Sequence, residues 1–187
     1  QQITKVGIGK IMEQYELSKI EFEKKGYFST KRELPKIINR IGIVTSVDGA
    51  ALQDILYVLE NNNFNGEIII KNCLAQGQKC PESVSEGIKC LNKLNKTKKI
   101  DVMIITRGGG SFEDLIGYSN KKVIKKLHKS KIITISAVGH EIDTMLSDFA
   151  ADIRSPTPSI AGEIVSKQQK ECKQFIDMSS NNLTKIQ

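Results

Sequence analysis

Four short apolar runs, separated by stretches of helical periodicity, set the architecture of this chain. Ile41–Ser46, Glu67–Asn72, Val102–Thr106 and Ile132–Ala137 are rich in β-branched residues. Ala50–Asn61 places Leu52, Ile55, Leu56 and Leu59 on one helical face, and Glu82–Leu94 starts just after Pro81. A lysine-rich helix is expected from about Asn120 to Lys129. This alternation predicts an α/β fold, a parallel sheet of about four strands with helices on both faces. Ahead of it, Lys5–Lys25 carries Ile8, Ile11, Met12 and Tyr15 at helical spacing in a charged background, which predicts an exposed or bridging helix.

After the fourth run, Thr144–Ala151 reads as a short helix. The chain then breaks at Ser155-Pro156-Thr157-Pro158-Ser159, where Thr157 suits an N-cap and Pro158 the first helical position. The helix this starts has a thin apolar stripe through Ile164, Val165, Cys172, Ile176 and Leu183, so it is expected to leave the globule for a partner. The expected organisation is an N-terminal helix and linker over 1–34, an α/β domain over 35–160, and a C-terminal extended helix over 161–187 that opens a longer helical region.

Three of the strand-to-helix handovers carry chemistry. Ile41–Ser46 leads into Asp48-Gly49-Ala50-Ala51 and Asp54, Asp101–Thr106 into Arg107-Gly108-Gly109-Gly110-Ser111, and Ile132–Ala137 into Gly139-His140-Glu141 and Asp143. In an open parallel sheet such handovers share one edge, where ligands bind. Three glycines followed by Ser111 and a helix start at Phe112-Glu113-Asp114 resemble an anion-binding nest, and Arg107 offers a guanidinium fork to two phosphate oxygens. The run is neither a dinucleotide fingerprint nor a Walker loop, because no Lys-Ser/Thr pair follows it. His140 beside a carboxylate can transfer protons near neutral pH. Each feature has a bland counterpart: a tight structural turn, a structural histidine at a strand end, a solvated helical Asp54. Asp148 and Asp152, four apart on the helix that follows, and Arg154 just after them read as surface charge or as support for the site. His128, in the lysine-rich helix, reads as a solvated surface residue. Convergence of the three turns in one crevice is what raises them to a candidate site.

Lys plus Arg number 28 against 21 acidic residues, a net charge of +7 that favours polyanionic partners. Only Arg32, Arg40, Arg107 and Arg154 are arginines, so the excess is a lysine surface as readily as a nucleic-acid track. Cys73, Cys80, Cys90 and Cys172 fit neither a zinc site nor a disulfide framework and read as reduced thiols. With no N-terminal h-region and no apolar stretch of membrane-spanning length, a cytoplasmic protein is expected.

Together the motifs resemble the large subunit of bacterial exonuclease VII. The resemblance rests on Val44-Thr45-Ser46, Gly49-Ala50-Ala51, Asp54-Ile55-Leu56, the stretch Arg107–Leu115, Ser136–Asp143, Asp148-Phe149-Ala150-Ala151-Asp152 and Arg154–Ser159, in that order. It runs from about residue 10 to 170. It implies hydrolysis of single-stranded DNA from either end to short oligonucleotides, with a small helical partner subunit docking on the C-terminal helix. Carried over by position, it implies Asp54, Arg107, His140 and Asp143 as the catalytic core. Arg107 and the glycine amides would hold the scissile phosphate, His140 would act as general base or general acid, Asp143 would orient it, and Asp54 would position water or bind a metal. Ser46, Gly108, Gly109, Gly110, Ser111 and Arg154 are read as phosphate or DNA contacts, and Glu113, Asp114, Glu141, Asp148 and Asp152 as supporting groups. A need for Mg²⁺ is left open, with Asp54 and Asp143 as the ligands if one is bound, and self-association into a homo-oligomer is open. A non-catalytic phosphate- or nucleotide-binding module is the competing reading.

The chain departs from the family pattern in the polar Ile116–Asn120 stretch, in Ile142 where threonine is usual, and in Asp48 where a small or hydroxyl residue is usual. The family also places an OB-fold before this region and a long helical region after it. The sequence is therefore expected to be a reduced relative or the catalytic segment alone.

Overall fold

The structure is a computed structural model describing residues 2–139, 144–167 and 171, with side chains from residue 9 onward. Helix α1 (Gln2–Lys24) precedes β1 (Arg40–Thr45), α2 (Ala50–Asn61), β2 (Glu67–Asn72), α3 (Cys80–Leu94) and β3 (Val102–Thr106). Then come α4 (Phe112–Leu115), a 3₁₀ turn (Ile116–Ser119), α5 (Lys121–His128), β4 (Ile133–Ala137), α6 (Leu146–Ala150) and β5 (Ile153–Arg154). A last helix, α7, covers 158–167 among the described residues. None of the described helices is long and apolar enough to cross a membrane.

The sheet has five parallel strands in the order β2-β1-β3-β4-β5, one more than the sequence predicts. The addition is β5, whose two residues are too few to carry a period of their own. Helices cover both faces, which is why the central strands read as unbroken apolar runs rather than alternating ones. Ile41, Ile43, Val102, Ile104 and Ile135 pack on one face with Leu52, Ile55 and Leu59 of α2 and Ala161 and Val165 of α7. Val44, Met103 and Ile105 pack on the other with α3, α5 and α6. Each isoleucine fully buried in this way is worth about 1.5–3 kcal/mol relative to exposure.

Helix α1 is mostly exposed, as its charge pattern predicts, but it anchors through Tyr15 and Phe22, which enter the second core. His128 is exposed yet not merely solvated, because its ring stacks on Tyr27 at 4.0 Å between centroids. Thr157 caps α7, its hydroxyl accepting the Ile160 amide at 3.1 Å. The first turns of α7 stay on the globule against α2. A Cβ added at Gly162 would sit 3.2 Å from Val58, and Asn62 Nδ2 donates to Ser166 Oγ at 2.8 Å. The expected continuation through Cys172, Ile176 and Leu183 lies outside the described residues.

The strand order reverses between β1 and β3. From β1 the chain first crosses to β2 on one side, then returns over β1 to β3 on the other. A reversal of this kind opens a crevice beyond the carboxyl ends of the two strands, and it is there that doubly wound folds bind ligands.

Candidate active site

Arg107 follows the last residue of β3, at the reversal, and its side chain is 8% exposed. Its Nη2 donates to Gln76 Oε1 at 3.1 Å and lies 3.8 Å from Asp114 Oδ2. Its Nη1 is buried and has no hydrogen-bond partner among the described residues. A buried guanidinium nitrogen left unpaired forfeits a strong interaction. Its presence at the ligand-binding edge fits an anionic oxygen as the missing acceptor.

The glycine loop serves Arg107 by leaving space. A Cβ on Gly110 would fall 2.2 Å from Arg107 Nη1, so the guanidinium lies directly against the loop backbone. None of Gly108, Gly109 and Gly110 has a positive φ, so the loop does not adopt the alternating conformation of a nest. What the glycines supply is close approach. Gly108 also faces the start of α2, where an added Cβ would be 3.9 Å from the Ala51 amide nitrogen. Ser111 and Asp114 close the loop on itself, Asp114 Oδ2 accepting the Ser111 amide at 3.3 Å. Glu113 is exposed beside them.

Across the crevice, the β1–α2 turn is held by the Gly49 amide donating to the Ser46 carbonyl at 3.2 Å and by the Val47 amide donating to Asn72 Oδ1 at 3.2 Å. Asp54 is exposed on α2, one turn beyond Ala51. Gly108 and Ala51 therefore leave room for little more than one carbon between the arginine loop and the start of the Asp54 helix.

The third turn is described only at its ends, since His140, Glu141 and Asp143 lie outside the described residues. Those ends are tied to Asp148, which is 4% exposed. Its Oδ1 accepts Ser136 Oγ at 2.6 Å and its Oδ2 accepts the Met145 amide at 2.9 Å, while the Gly139 amide also bonds to it. One buried carboxylate thus grips the chain on both sides of the segment 140–143. Burial raises the Asp148 pKa, opposed by the Ser136 and Met145 bonds and by the charge of Arg154. Two further ties hold the far end: Tyr15 Oη donates to the Thr144 carbonyl at 2.7 Å, and the Leu146 amide donates to Ser119 Oγ at 2.9 Å. Arg154, paired with Ser136 across β4 and β5, is exposed at the same sheet edge.

Asp152 lies elsewhere. Helix α6 ends at Ala150, so Asp152 does not share a helical face with Asp148 as the four-residue spacing suggests. It sits at the start of β5, at the opposite edge of the sheet, where Arg32 Nε and Nη2 reach Oδ1 and Oδ2 at 2.9 and 2.7 Å. The Thr134 amide and hydroxyl complete its shell at 2.8 and 2.9 Å. Burial, the largest influence, pushes the Asp152 pKa up, but Arg32 and Thr134 outweigh it and the net direction is down.

Sequence reasoning missed Gln76, the hydrogen-bond partner of Arg107; a single polar residue in the β2–α3 loop carries no pattern that marks it. It also missed the buried floor beneath the arginine, Cys80 and Tyr118. Burial pushes the Cys80 thiol up to about 11, with Tyr118 and Arg107 pulling the other way. Among the described residues no three His, Cys, Asp or Glu side chains gather as a metal site. Asp54 is the candidate metal ligand that they include, with Asp143 outside them.

A family model described as "Exonuclease VII, large subunit" matches residues 28–187. Proteins named exodeoxyribonuclease 7 large subunit are similar over most of the chain. That of Geobacter metallireducens is 40% identical over 179 residues, covering 95% of this chain and 39% of its own length. That of Shewanella halifaxensis is 43% identical over 163 residues, covering 86% and 36%. That of Clostridium tetani is 39% identical over 179 residues, covering 95% and 44%. The chain spans about two-fifths of the length of the curated relatives it matches.

Proposed function

The chain belongs to the exonuclease VII large-subunit family, and from that premise we propose that it carries the phosphodiester-cleaving centre of a single-stranded-DNA exonuclease. The observation that supports this most is Arg107, buried at the strand reversal with no hydrogen-bond partner for Nη1 among the described residues. A guanidinium held there matches the spread charge of a phosphodiester, and it does most where that charge grows in the transition state.

In this reading the backbone of Gly108–Gly110 and the Arg107 fork hold the non-bridging oxygens of the scissile phosphate. His140 takes the proton of the attacking water or supplies one to the leaving oxygen, Asp143 orients it, and Asp54 positions the water or holds a divalent ion. Asp148 holds Gly139 and Met145, which flank the His140 segment in the sequence. Arg154, Ser46 and Ser111 line the strand's approach. The C-terminal helix from 161 onward is the contact for the small subunit, and the protein acts in the cytoplasm on single-stranded ends.

The test is cleavage of an end-labelled single-stranded oligonucleotide by the chain with Mg²⁺ and with EDTA, beside His140→Ala and Arg107→Ala. Expected is ladder formation lost in both variants, with His140→Ala still retaining DNA in a filter-binding assay. A His140→Ala chain that loses DNA binding but keeps its turnover of bound strand would overturn the role given to His140. The EDTA lane reads whether Asp54 works through a metal.

A further inference from the structure

The outer edge of β2 has no partner strand among the described residues, and its sequence is unusual for an exposed edge. Glu67-Ile68-Ile69-Ile70-Lys71-Asn72 has three consecutive isoleucines, with Ile70 40% exposed and neighbouring Leu74 55% exposed. Exposed edges are ordinarily blunted by charged side chains, proline or bulges, because unpaired backbone groups template pairing; here the charges, Glu67 and Lys71, flank an apolar centre of three isoleucines. This strand has neither proline nor a break in its register with β1.

Its backbone groups divide cleanly. The Glu67 amide donates to the Asn39 carbonyl at 2.8 Å and the Cys73 amide to the Thr45 carbonyl at 2.9 Å. In a parallel ladder with the register Arg40↔Glu67 to Thr45↔Asn72, the odd-numbered residues of β2 spend their groups on β1. Ile68, Ile70 and Asn72 therefore turn theirs outward.

We infer that this edge pairs antiparallel with the same edge of a second copy of this chain, about a two-fold axis at Ile69. That register sets Ile68 of each copy opposite Ile70 of the other as a hydrogen-bonded pair, which uses the outward groups. It sets Ile69 opposite its own counterpart, and Glu67 of each copy opposite Lys71 of the other, both on the α3 face of the sheet, where Lys71 joins the Arg40 and Lys98 cations that already meet Glu67. The strand is thus complementary to itself in charge. Moving the axis to Ile68 or Ile70, the neighbouring registers that the outward groups permit, sets Ile69 against a charged residue and removes both Glu–Lys pairs. Two ion pairs and three apolar pairs, related by symmetry, make an isologous contact that would continue the two sheets as one. The active-site crevice lies between β1 and β3, so the contact is independent of the nuclease reading.

Sedimentation of this chain from low micromolar to about 100 μM measures the association. A monomer–dimer equilibrium is expected for the natural sequence. Ile70→Pro removes an outward amide that the ladder with β1 does not use, so it should leave the circular dichroism and melting temperature in place and abolish the dimer. Lys71→Glu sets carboxylates opposite one another and should weaken the dimer about tenfold or more. The register has its own test in a chain carrying Cys90→Ser and Cys172→Ser. Directly opposed residues of a non-hydrogen-bonded pair lie about 4.5 Å apart at Cα, within disulfide reach, so Ile69→Cys should cross-link on mild oxidation and Ile70→Cys should not. A monomer throughout, a dimer unchanged by both Ile70→Pro and Lys71→Glu, or equal cross-linking at 69 and 70 would each overturn the proposal. DNA cleavage by monomeric variants would persist either way, which separates this inference from the catalytic one.

Discussion

The two edges of the sheet are built from the same residue types and treat them in opposite ways. At the amino edge Asp152, Asp101 and Arg40 are all paired. Asp152 takes both nitrogens of the Arg32 fork and two bonds from Thr134. Asp101 caps the amides of Asn39 and Arg40 at 2.9 and 3.0 Å, and Arg40 meets Glu67 at 2.6 Å. At the carboxyl edge, among the described residues, Arg107 has a buried nitrogen with no hydrogen-bond partner, and Asp148 is buried against hydroxyl and amide donors, its pKa raised where that of Asp152 is lowered. Saturated charges stabilise a fold. Unsaturated ones are retained at a cost in stability, and the cost marks the edge that does chemistry.

The contrast breaks most visibly at Arg107. Arg107→Ala should lower turnover about a hundred- to a thousandfold, the usual loss for a preorganised anion-stabilising donor, while changing stability little. Steady-state cleavage beside a melting curve reads both, and a large loss of stability would assign Arg107 to the fold instead. Asp152→Ala should do the reverse. Stripping a nearly buried carboxylate from Arg32 and Thr134 should cost about 3 kcal/mol, measured by urea unfolding, with kcat unchanged under folding conditions.

A finer probe is Gly110→Ala. Its methyl group would meet the mobile end of Arg107 rather than backbone, so the fold should tolerate it while the guanidinium is displaced. The expected result is about a tenfold loss of cleavage, roughly the loss of one aligned hydrogen bond, with an unchanged melting temperature. Unchanged activity would mean that the guanidinium placement is not what the glycine protects.

The smallest effects are in pH dependence. Because the folded pKa of Asp152 is depressed, its stabilisation is present above the unfolded value and is lost as pH falls through the folded one. For Asp148 the folded pKa is raised, so its contribution is complete below the unfolded value and is lost as pH rises through the folded one. Melting temperatures over about pH 3 to 7 should therefore lose part of their acid-side fall in Asp152→Asn. In Asp148→Asn the change should lie on the other side of the carboxylate range. Identical profiles for the two variants would remove the distinction between the edges.

Much of this was legible in the residue pattern. The bounds of α2, β2 and β3 coincide with the periodicity and turn signals, because a buried strand and an amphipathic helix both write their period into adjacent residues. The three chemical turns follow from the strands, since parallel strands must end at a common edge. The fifth strand did not show, as two residues hold no period. Nor did the separate fates of Asp148 and Asp152, which look like one helical pair until the helix stops at Ala150 and the chain turns back along β4, from Ser136 to Thr134.

By itself, then, the sequence determined the alternation of elements, the family and the candidate residues Asp54, Arg107, His140 and Asp143, because those depend on local spacing and residue type. The tertiary structure alone decided that Gly110 makes room for a guanidinium, that Gln76 is its hydrogen-bond partner, and that one aspartate is held by a cation while the other is buried against hydroxyl and amide donors. Those outcomes depend on desolvation and on partners brought from distant parts of the chain, Arg32 to Asp152 above all. No window of adjacent residues contains both members of such a pair.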